Sequence, residues 1–313
     1  MSETIVTITP NPALDVWLTT SKLTAGPKLR TNRPRFDPGG GGINVSRVLH
    51  RLEGETLALY AAGGRLGDEV ADGLEREGVR AERCTIEGDT REDISVCETE
   101  SGDVLRFVTP GPKLRDDEVD TFLAMLVRAS GGASMAVGSG SLPEGAGAYF
   151  WSKVAARCRN AEVPLVLDSS DAIEPALKEG VFCFRENRDA INGLVGHEIG
   201  WPEETADWAA DQVAAGNAEM VIVTEGAEGA LLVTDKMKLL QSPPDISPRS
   251  AVGAGDSFVA GFCLALSRNE GIEKALRTAV ATAAATLLTQ GTELCRKEDV
   301  ERLLLELREL RRL

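Results

Sequence analysis

Hydrophobic positions along the chain fall into two alternating patterns. Short runs rich in β-branched residues read as strands, at Thr4–Thr9, Thr56–Ala61, Met135–Ser139, Leu165–Asp168, Val181–Phe184, Met220–Thr224 and Ala230–Thr234. Between them apolar residues recur every three to four positions, at Ile43–Leu52, Asp68–Glu77, Asp116–Arg128, Ala148–Arg159 and Glu203–Ala215. These stretches read as amphipathic helices. Strands alternating with helices predict an α/β fold, a three-layer α/β/α core whose mostly parallel sheet is covered on both faces. Roughly the last sixty residues are nearly all helical in pattern, and Leu303, Leu304, Leu307 and Leu310 form one stripe expected to face the core.

Two segments break the alternation. Ala13–Phe36 and Arg91–Val108 read as strands and turns without helices: Leu14–Leu18, then Ile94–Glu98 and Val104–Val108 around the turn Ser101-Gly102. Strand pairs inserted into an α/β core predict a small second sheet, a lid over a cleft. Its apolar outer face would favour pairing with a second copy of the chain. The length of 313 residues allows about two domains by itself. Without a linker, repeat or low-complexity tract, the expectation is one catalytic domain over 1–313 carrying this lid.

Composition narrows the function. Hydrophobic residues make up 42% of the chain, enough for a large core, and aromatic residues only 4%, few for a base-stacking surface. A net charge of −15 disfavours nucleic acid and anionic membrane as partners. No run of about 18 apolar residues occurs, and the opening Met-Ser-Glu-Thr-Ile has no leader pattern, so a cytoplasmic protein is expected. The six cysteines are scattered and the two histidines, His50 and His197, stand apart from them. A zinc cluster or a Ser-His-Asp triad is thereby disfavoured.

The chemistry gathers at glycine. In Ser250-Ala-Val-Gly-Ala-Gly-Asp-Ser-Phe-Val-Ala-Gly261 three small residues, Gly253, Ala254 and Gly255, precede an apolar helical run. Uncovered amides and a helix N-terminus together make an anion cradle. Asp256 at its mouth is either a helix cap or a base beside a reacting anion. Gly39-Gly-Gly-Gly42-Ile-Asn44 opens the first long helix, where backbone can approach a ligand and Asn44 can bond hydroxyls. There is no Gly-x-x-x-x-Gly-Lys-Ser/Thr, so a nucleotide would be held without a P-loop lysine.

With Asn11-Pro-Ala-Leu-Asp15 ahead of them, these two segments resemble the PfkB (ribokinase-like) carbohydrate kinases from end to end of the chain. The nearest branch is the minor, ribokinase-type 6-phosphofructokinases, which share Gly-Gly-Gly-Gly-Ile-Asn-Val and Gly-Ser-Leu-Pro. The resemblance implies transfer of the γ-phosphoryl of ATP, with Mg2+, to a sugar hydroxyl. It implies Asp256 as the base, with Gly253, Ala254 and Gly255 as the anion hole. Asp15, Gly40, Gly41 and Asn44 would hold the sugar hydroxyls, Lys28, Arg30 and Arg91 a sugar phosphate, and Ser139 a further part of the substrate. Thr224, Gly226 and Gly229 would lie under the nucleotide.

Some of these residues have plain structural readings too. Lys28, Arg30, Arg33 and Arg35 also read as a solvated basic stretch, Ser139 as a strand-end turn residue, and Asp168 as either a cap or a strand-end site residue. The sequence also departs from the branch. Its Lys-Pro-Asn-x-x-Glu becomes Arg185-Glu186-Asn187-Arg188-Asp189-Ala190, which keeps Asn187 to reach a metal through water and Arg185 to reach a phosphate. Thr289 and Glu293 replace residues beside a potassium site, leaving K+ activation open. Three readings follow. The first is a kinase making fructose 1,6-bisphosphate from fructose 6-phosphate. The second is a 1-phosphofructokinase or tagatose-6-phosphate kinase, disfavoured because the former more often has Lys where this chain has Gly41. The third is a catalytically weak sugar-phosphate or nucleotide-binding protein.

Overall fold

Buried strands covered on both faces must send successive side chains into two different cores, and this chain does so. In chain order the elements are β1 (Ile5–Thr9), β2 (Ala13–Thr20), β3 (Arg35–Gly39), α1 (Gly41–Arg51), β4 (Thr56–Ala62), α2 (Gly64–Glu77), β5 (Ala81–Thr85), β6 (Arg91–Glu98) and β7 (Val104–Phe107). Then follow α3 (Asp116–Ser130), β8 (Met135–Ser139), α4 (Phe150–Asn160), β9 (Leu165–Asp168), α5 (Ile173–Glu179), β10 (Val181–Asn187), α6 (Arg188–Val195), α7 (Glu203–Ala214) and β11 (Ala218–Glu225). The chain closes with β12 (Gly229–Thr234), β13 (Lys238–Gln241), α8 (Ala254–Ser267), α9 (Ile272–Leu287), α10 (Lys297–Glu306) and β14 (Arg311–Arg312). This computed structural model describes residues 4–26 and 28–313. The opening Met1–Glu3, part of the leader reading, and Pro27 lie outside them.

A ten-stranded sheet runs in the order β14-β13-β12-β11-β10-β9-β8-β1-β4-β5. From β11 to β5 all neighbours are parallel, and β12, β13 and β14 are added antiparallel at one edge. Val6 and Ile8 enter the core under α3, α4, α5 and α7, whereas Ile5 enters the core under α1, α8, α9 and α10. Along β4, Leu57, Leu59 and Ala61 join the first core, and Ala58, Tyr60 and Ala62 pack with α2. Because the parallel strands share one direction, Thr9, Ser139, Asp168, Asn187 and Glu225 all end on the same edge of the sheet. That edge is where open α/β sheets bind ligands.

The small second sheet has the order β3-β2-β6-β7. Its register pairs Asp15 with Asp37 and Asp93, Ala13 with Arg91, Trp17 with Arg35, and Ser95 with Arg106. The charged residues therefore share one face. Val16, Phe36, Ile94, Leu105 and Phe107 share the other, on which Phe107 is 56% exposed.

Several expectations need correction. Polar strands β5, β13 and β14 carry too few apolar residues to register as strands in the sequence. β10 runs past its apolar stretch through Asn187, because pairing with Thr224 of β11 continues to that point. The C-terminal stripe faces the core at Leu303 and Leu307, but the helix ends at Glu306 and the chain turns extended to pair β14 with β13. Of Trp17, Leu18, Val96 and Phe107, the apolar residues expected on the outer face of the lid, Trp17 lies instead on the charged side, packed against Gly291.

Candidate active site

Gly253, in a left-handed conformation with φ of 76°, turns the chain into α8. The first-turn amides have no carbonyl four residues earlier to bond, and the Ala254 N–H makes only a 3.3 Å contact to the Ala251 carbonyl. Asp256 does not cap this helix. Its Oδ2 instead accepts a 2.9 Å hydrogen bond from Nδ2 of Asn44, on the first turn of α1. Burial pushes the Asp256 carboxyl up to about 6; the charge of Asp168 adds to the rise, while the Asn44 bond and the Arg185 and Arg106 charges oppose it. A carboxyl tuned there is ionised at neutral pH yet basic enough to take a proton.

Arg185, from the polar end of β10, stands at the cradle. Its Nη1 lies 2.9 Å from where a Cβ on Gly255 would be, so only glycine admits it. Nη1 donates to Asp168 Oδ1 at 2.9 Å, Nη2 donates to Thr224 Oγ1 at 2.7 Å, and the guanidinium lies over the Phe258 ring. Asp168 accepts a second bond, 3.0 Å, from Ser139 Oγ, and α5 has no side-chain cap. Asp168 is therefore engaged by Ser139 and Arg185 at the strand end and does not cap α5.

The glycine run lets α1 descend onto the strand ends. A Cβ on Gly41 would lie 2.2 Å from Ser139 Oγ, and one on Gly40 would lie 2.8 Å from Thr9. Beside it, Asp15 is 4% exposed on the charged face of the small sheet. Burial carries its carboxyl to about 7, with Arg106 opposing and Asp93 adding to the rise. Arg91 donates to both oxygens of Asp93 at 2.9 Å, and Arg106 approaches Asp93 to 3.7 Å. Lys28 and Arg30 are exposed on the β2–β3 loop, with no ion pair among the described residues. Arg35 is held by Asp37 and the Gln290 carbonyl.

On the other side of Arg185 lies a cavity of about 710 Å³. Thr224, Gly226 and Gly229 line it opposite Ala254 and Gly255, and Ile246 and Leu287 form part of an apolar wall. Asn187 caps α6 by accepting from the Ala190 N–H at 2.9 Å. Glu186, 6% exposed, accepts through Oε1 from both the backbone N–H and Nδ2 of Asn187. Asp189 is exposed. Thr289 is buried, its hydroxyl donating to the Thr286 carbonyl, and Glu293 pairs with Arg296.

The profile of the pfkB family carbohydrate kinases matches residues 11–299. The chain belongs to this family. It is an ATP-dependent sugar kinase with a ribokinase-like fold. The kinase is 39% identical over 298 residues to ATP-dependent 6-phosphofructokinase isozyme 2 of Mycobacterium tuberculosis, covering 95% of this chain and 88% of that protein. The crystal structure of phosphofructokinase-2 from Escherichia coli in complex with substrates and products superposes with a TM-score of 0.91 at 32% identity, covering 96% and 98% of the two chains. The 1-phosphofructokinase of Bacillus subtilis is 31% identical over 305 residues, covering 97% and 98%.

Residues from both ends of the sequence are thus linked by contact: Asn44 to Asp256, Gly41 to Ser139, Ser139 to Asp168, and Arg185 to Asp168, Thr224 and Gly255. The Ser139 hydroxyl donates to Asp168. Sequence reasoning missed Arg106, although strand alternation from Val104 would have placed it on the Asp93 face. It also missed the pairing of Arg185 with Asp168, for which no local signal exists.

If Asp256 takes the proton, Asp256→Asn should lower kcat by ~10²–10⁴-fold with an unchanged circular dichroism spectrum. In the native kinase kcat/KM should fall as pH drops through about 6, where the base becomes protonated. Asp15→Asn should raise the KM for sugar while leaving that limb in place. A limb that vanishes in Asp15→Asn would transfer the titration to Asp15.

Proposed function

We propose that this kinase transfers the γ-phosphoryl of ATP to the 1-hydroxyl of fructose 6-phosphate, giving fructose 1,6-bisphosphate. One observation carries the reading: Arg91 and Arg106 flank Asp93 on the face of the small sheet that carries Asp15, and the charge of Arg106 acts on both Asp15 and the Asp256 that Asn44 holds at the mouth of the anion cradle. A sugar phosphate anchored on the arginines of the small sheet, with Lys28 and Arg30 at its rim, presents its far hydroxyl to Asp256. Two of the relatives carry the 6-phosphofructokinase or phosphofructokinase-2 name. Gly41 supports the same choice over a 1-phosphate acceptor, because Ser139 and Gly140 leave no room there for a lysine.

Asp256 removes the hydroxyl proton as the oxygen attacks. The first-turn amides of α8 and the Arg185 guanidinium take up charge developing on the transferred group. The small sheet acts as a lid that excludes water from the closed site. Magnesium, when bound with ATP, neutralises the phosphate oxygens. The residues fit such an ion carried by the nucleotide. Among the described residues no three acidic, His or Cys side chains are close enough to chelate a metal, whereas Glu186 and Asn187 offer oxygens at the strand edge that reach it through water. Asp189 points to solvent and takes no part. An intact base, cradle and guanidinium weigh against a degenerate binder.

The apolar outer face of the lid, with Phe36, Leu105, Phe107 and Val108 exposed, pairs with its counterpart in a second copy to form a homodimer.

Three measurements test these statements. A coupled ADP-release assay over a sugar-phosphate panel should give the highest kcat/KM with fructose 6-phosphate; preference for fructose 1-phosphate or tagatose 6-phosphate would move the acceptor assignment. Light scattering at micromolar concentration should return a dimer mass, and Phe107→Glu should return that of a monomer. Glu186→Gln should raise the magnesium concentration for half-maximal rate by ~10-fold, whereas Asp189→Asn should leave it unchanged. The reverse pattern would put Asp189 at the metal.

A further inference from the structure

The amide of Asn44 can face Asp256 with either its NH2 group or its oxygen. Only the NH2 group makes a hydrogen bond to an ionised carboxylate. Nothing on Asn44 itself decides between the two, yet the structure has Nδ2 on Asp256 and Oδ1 turned the opposite way, 3.3 Å from Nη1 of Arg47. Arg47 is one turn further along α1 and 1% exposed. The same Nη1 donates to the Pro38 carbonyl at 2.9 Å, at the end of β3 where the small sheet runs into the glycine run. Nε and Nη2 donate to the Glu77 carboxylate at the end of α2, with Nη2 to Oε1 at 2.6 Å.

We infer that Arg47 is a positioning residue for the base: by donating to Oδ1 of Asn44 it fixes the amide so that Nδ2 holds Oδ2 of Asp256. The inference rests on Asp256 being the base. A guanidinium has no acceptor, so Arg47 can satisfy only the oxygen of the amide and the choice is forced. Its own orientation is fixed in turn. Glu77 takes the outer side of the fork and Pro38 the inner side, which leaves the guanidinium no second arrangement. Charged groups around it are Glu77 on α2, Asp37 on β3 at 3.8 Å, Asp15 on β2, whose carboxyl its charge lowers, and Arg51 on α1, which approaches Glu77 to 3.7 Å. Burial raises the Glu77 carboxyl, but its hydrogen bonds and charge contact with Arg47 outweigh this and hold it below the ordinary range. Those facing Asp256 are Asp168 on β9, Arg185 on β10 and Arg106 on β7.

The alternative is that Arg47 and Glu77 simply hold α1 to α2. Removing either member of a buried pair destabilises a fold by similar amounts, so stability alone does not separate the two. Arg47→Met frees the Asn44 amide, whereas Glu77→Gln breaks the ion pair and leaves Nη1 on Asn44. The experiment measures thermal unfolding, the pH profile of kcat/KM, and the 13C carboxyl titration of Asp256, its resonance assigned from Asp256→Asn. Both variants should unfold at lower temperature. Only Arg47→Met should lower kcat, by ~10-fold or more, and carry the acid limb and the Asp256 titration about one unit upward, since loss of a hydrogen bond to the ionised form disfavours it. Arg47→Lys, which keeps a charge beside Glu77 but lacks the fork, should show the same upward move if Arg47→Met does not fold. Equal loss of stability with unmoved titrations in the Arg47 variants would overturn the inference. An active Asp256→Asn kinase would instead remove the base reading, while the carboxyl titration would still report whether Arg47 orients Asn44.

Discussion

The hydrogen bond between Asn44 and Asp256 joins residues 212 positions apart, and the rest of the site is arranged around it. It requires the N-termini of α1 and α8 to meet over the C-terminal edge of the large sheet. That meeting needs glycine on both sides. A side chain at position 41 would collide with Ser139, and one at position 255 would collide with Arg185. The two glycine-rich segments therefore do more than leave amides bare: each makes room for a polar group from a neighbouring strand.

Electrostatics at this junction is finely balanced. Burial raises the carboxyls of both Asp256 and Glu186, the charge of Asp168 adds to each rise, and Arg185 is the cation that sits among the three. Arg185 is pinned between Asp168 and Thr224 with its Nη1 still bordering Gly255. One arm of its fork is thereby committed to Asp168 and the other to the Thr224 hydroxyl. In a chain of net charge −15 the small sheet gathers Arg91 and Arg106 around Asp93 on the face that also carries Asp15 and Asp37, with Lys28 and Arg30 exposed on the adjoining loop.

Much of this was legible in the sequence because it follows from short-range rules. Parallel strands buried on both faces produce continuous apolar runs, and glycine before a helix marks an anion site, so the core strands and Asp256 could be located directly. What escaped was set by partners far away in the chain. Arg185, Glu186 and Asn187 are polar, and only pairing with β11 makes them strand. Whether Asp256 caps its helix or faces Asn44 depends on a residue in the other half of the sequence. Leu307 and Leu310 continue a helical stripe in the sequence, but the helix stops before them because β13 offers its edge to β14.

The division of the molecule into two sheets has a consequence for how such proteins diversify. On the proposed reading phosphoryl transfer uses β9 and β10 of the large sheet with α8, whereas the groups facing a sugar phosphate stand on β2, β6 and β7 of the small one. A substitution at Arg91 would then alter what is accepted while leaving Asp256 and Arg185 in place, whereas Arg106 also acts on the Asp256 carboxyl and links the two sheets. Acceptor choice and phosphoryl chemistry would be largely separable, so that changes on a four-stranded appendage exchange one sugar phosphate for another while most of the machinery behind it stays fixed.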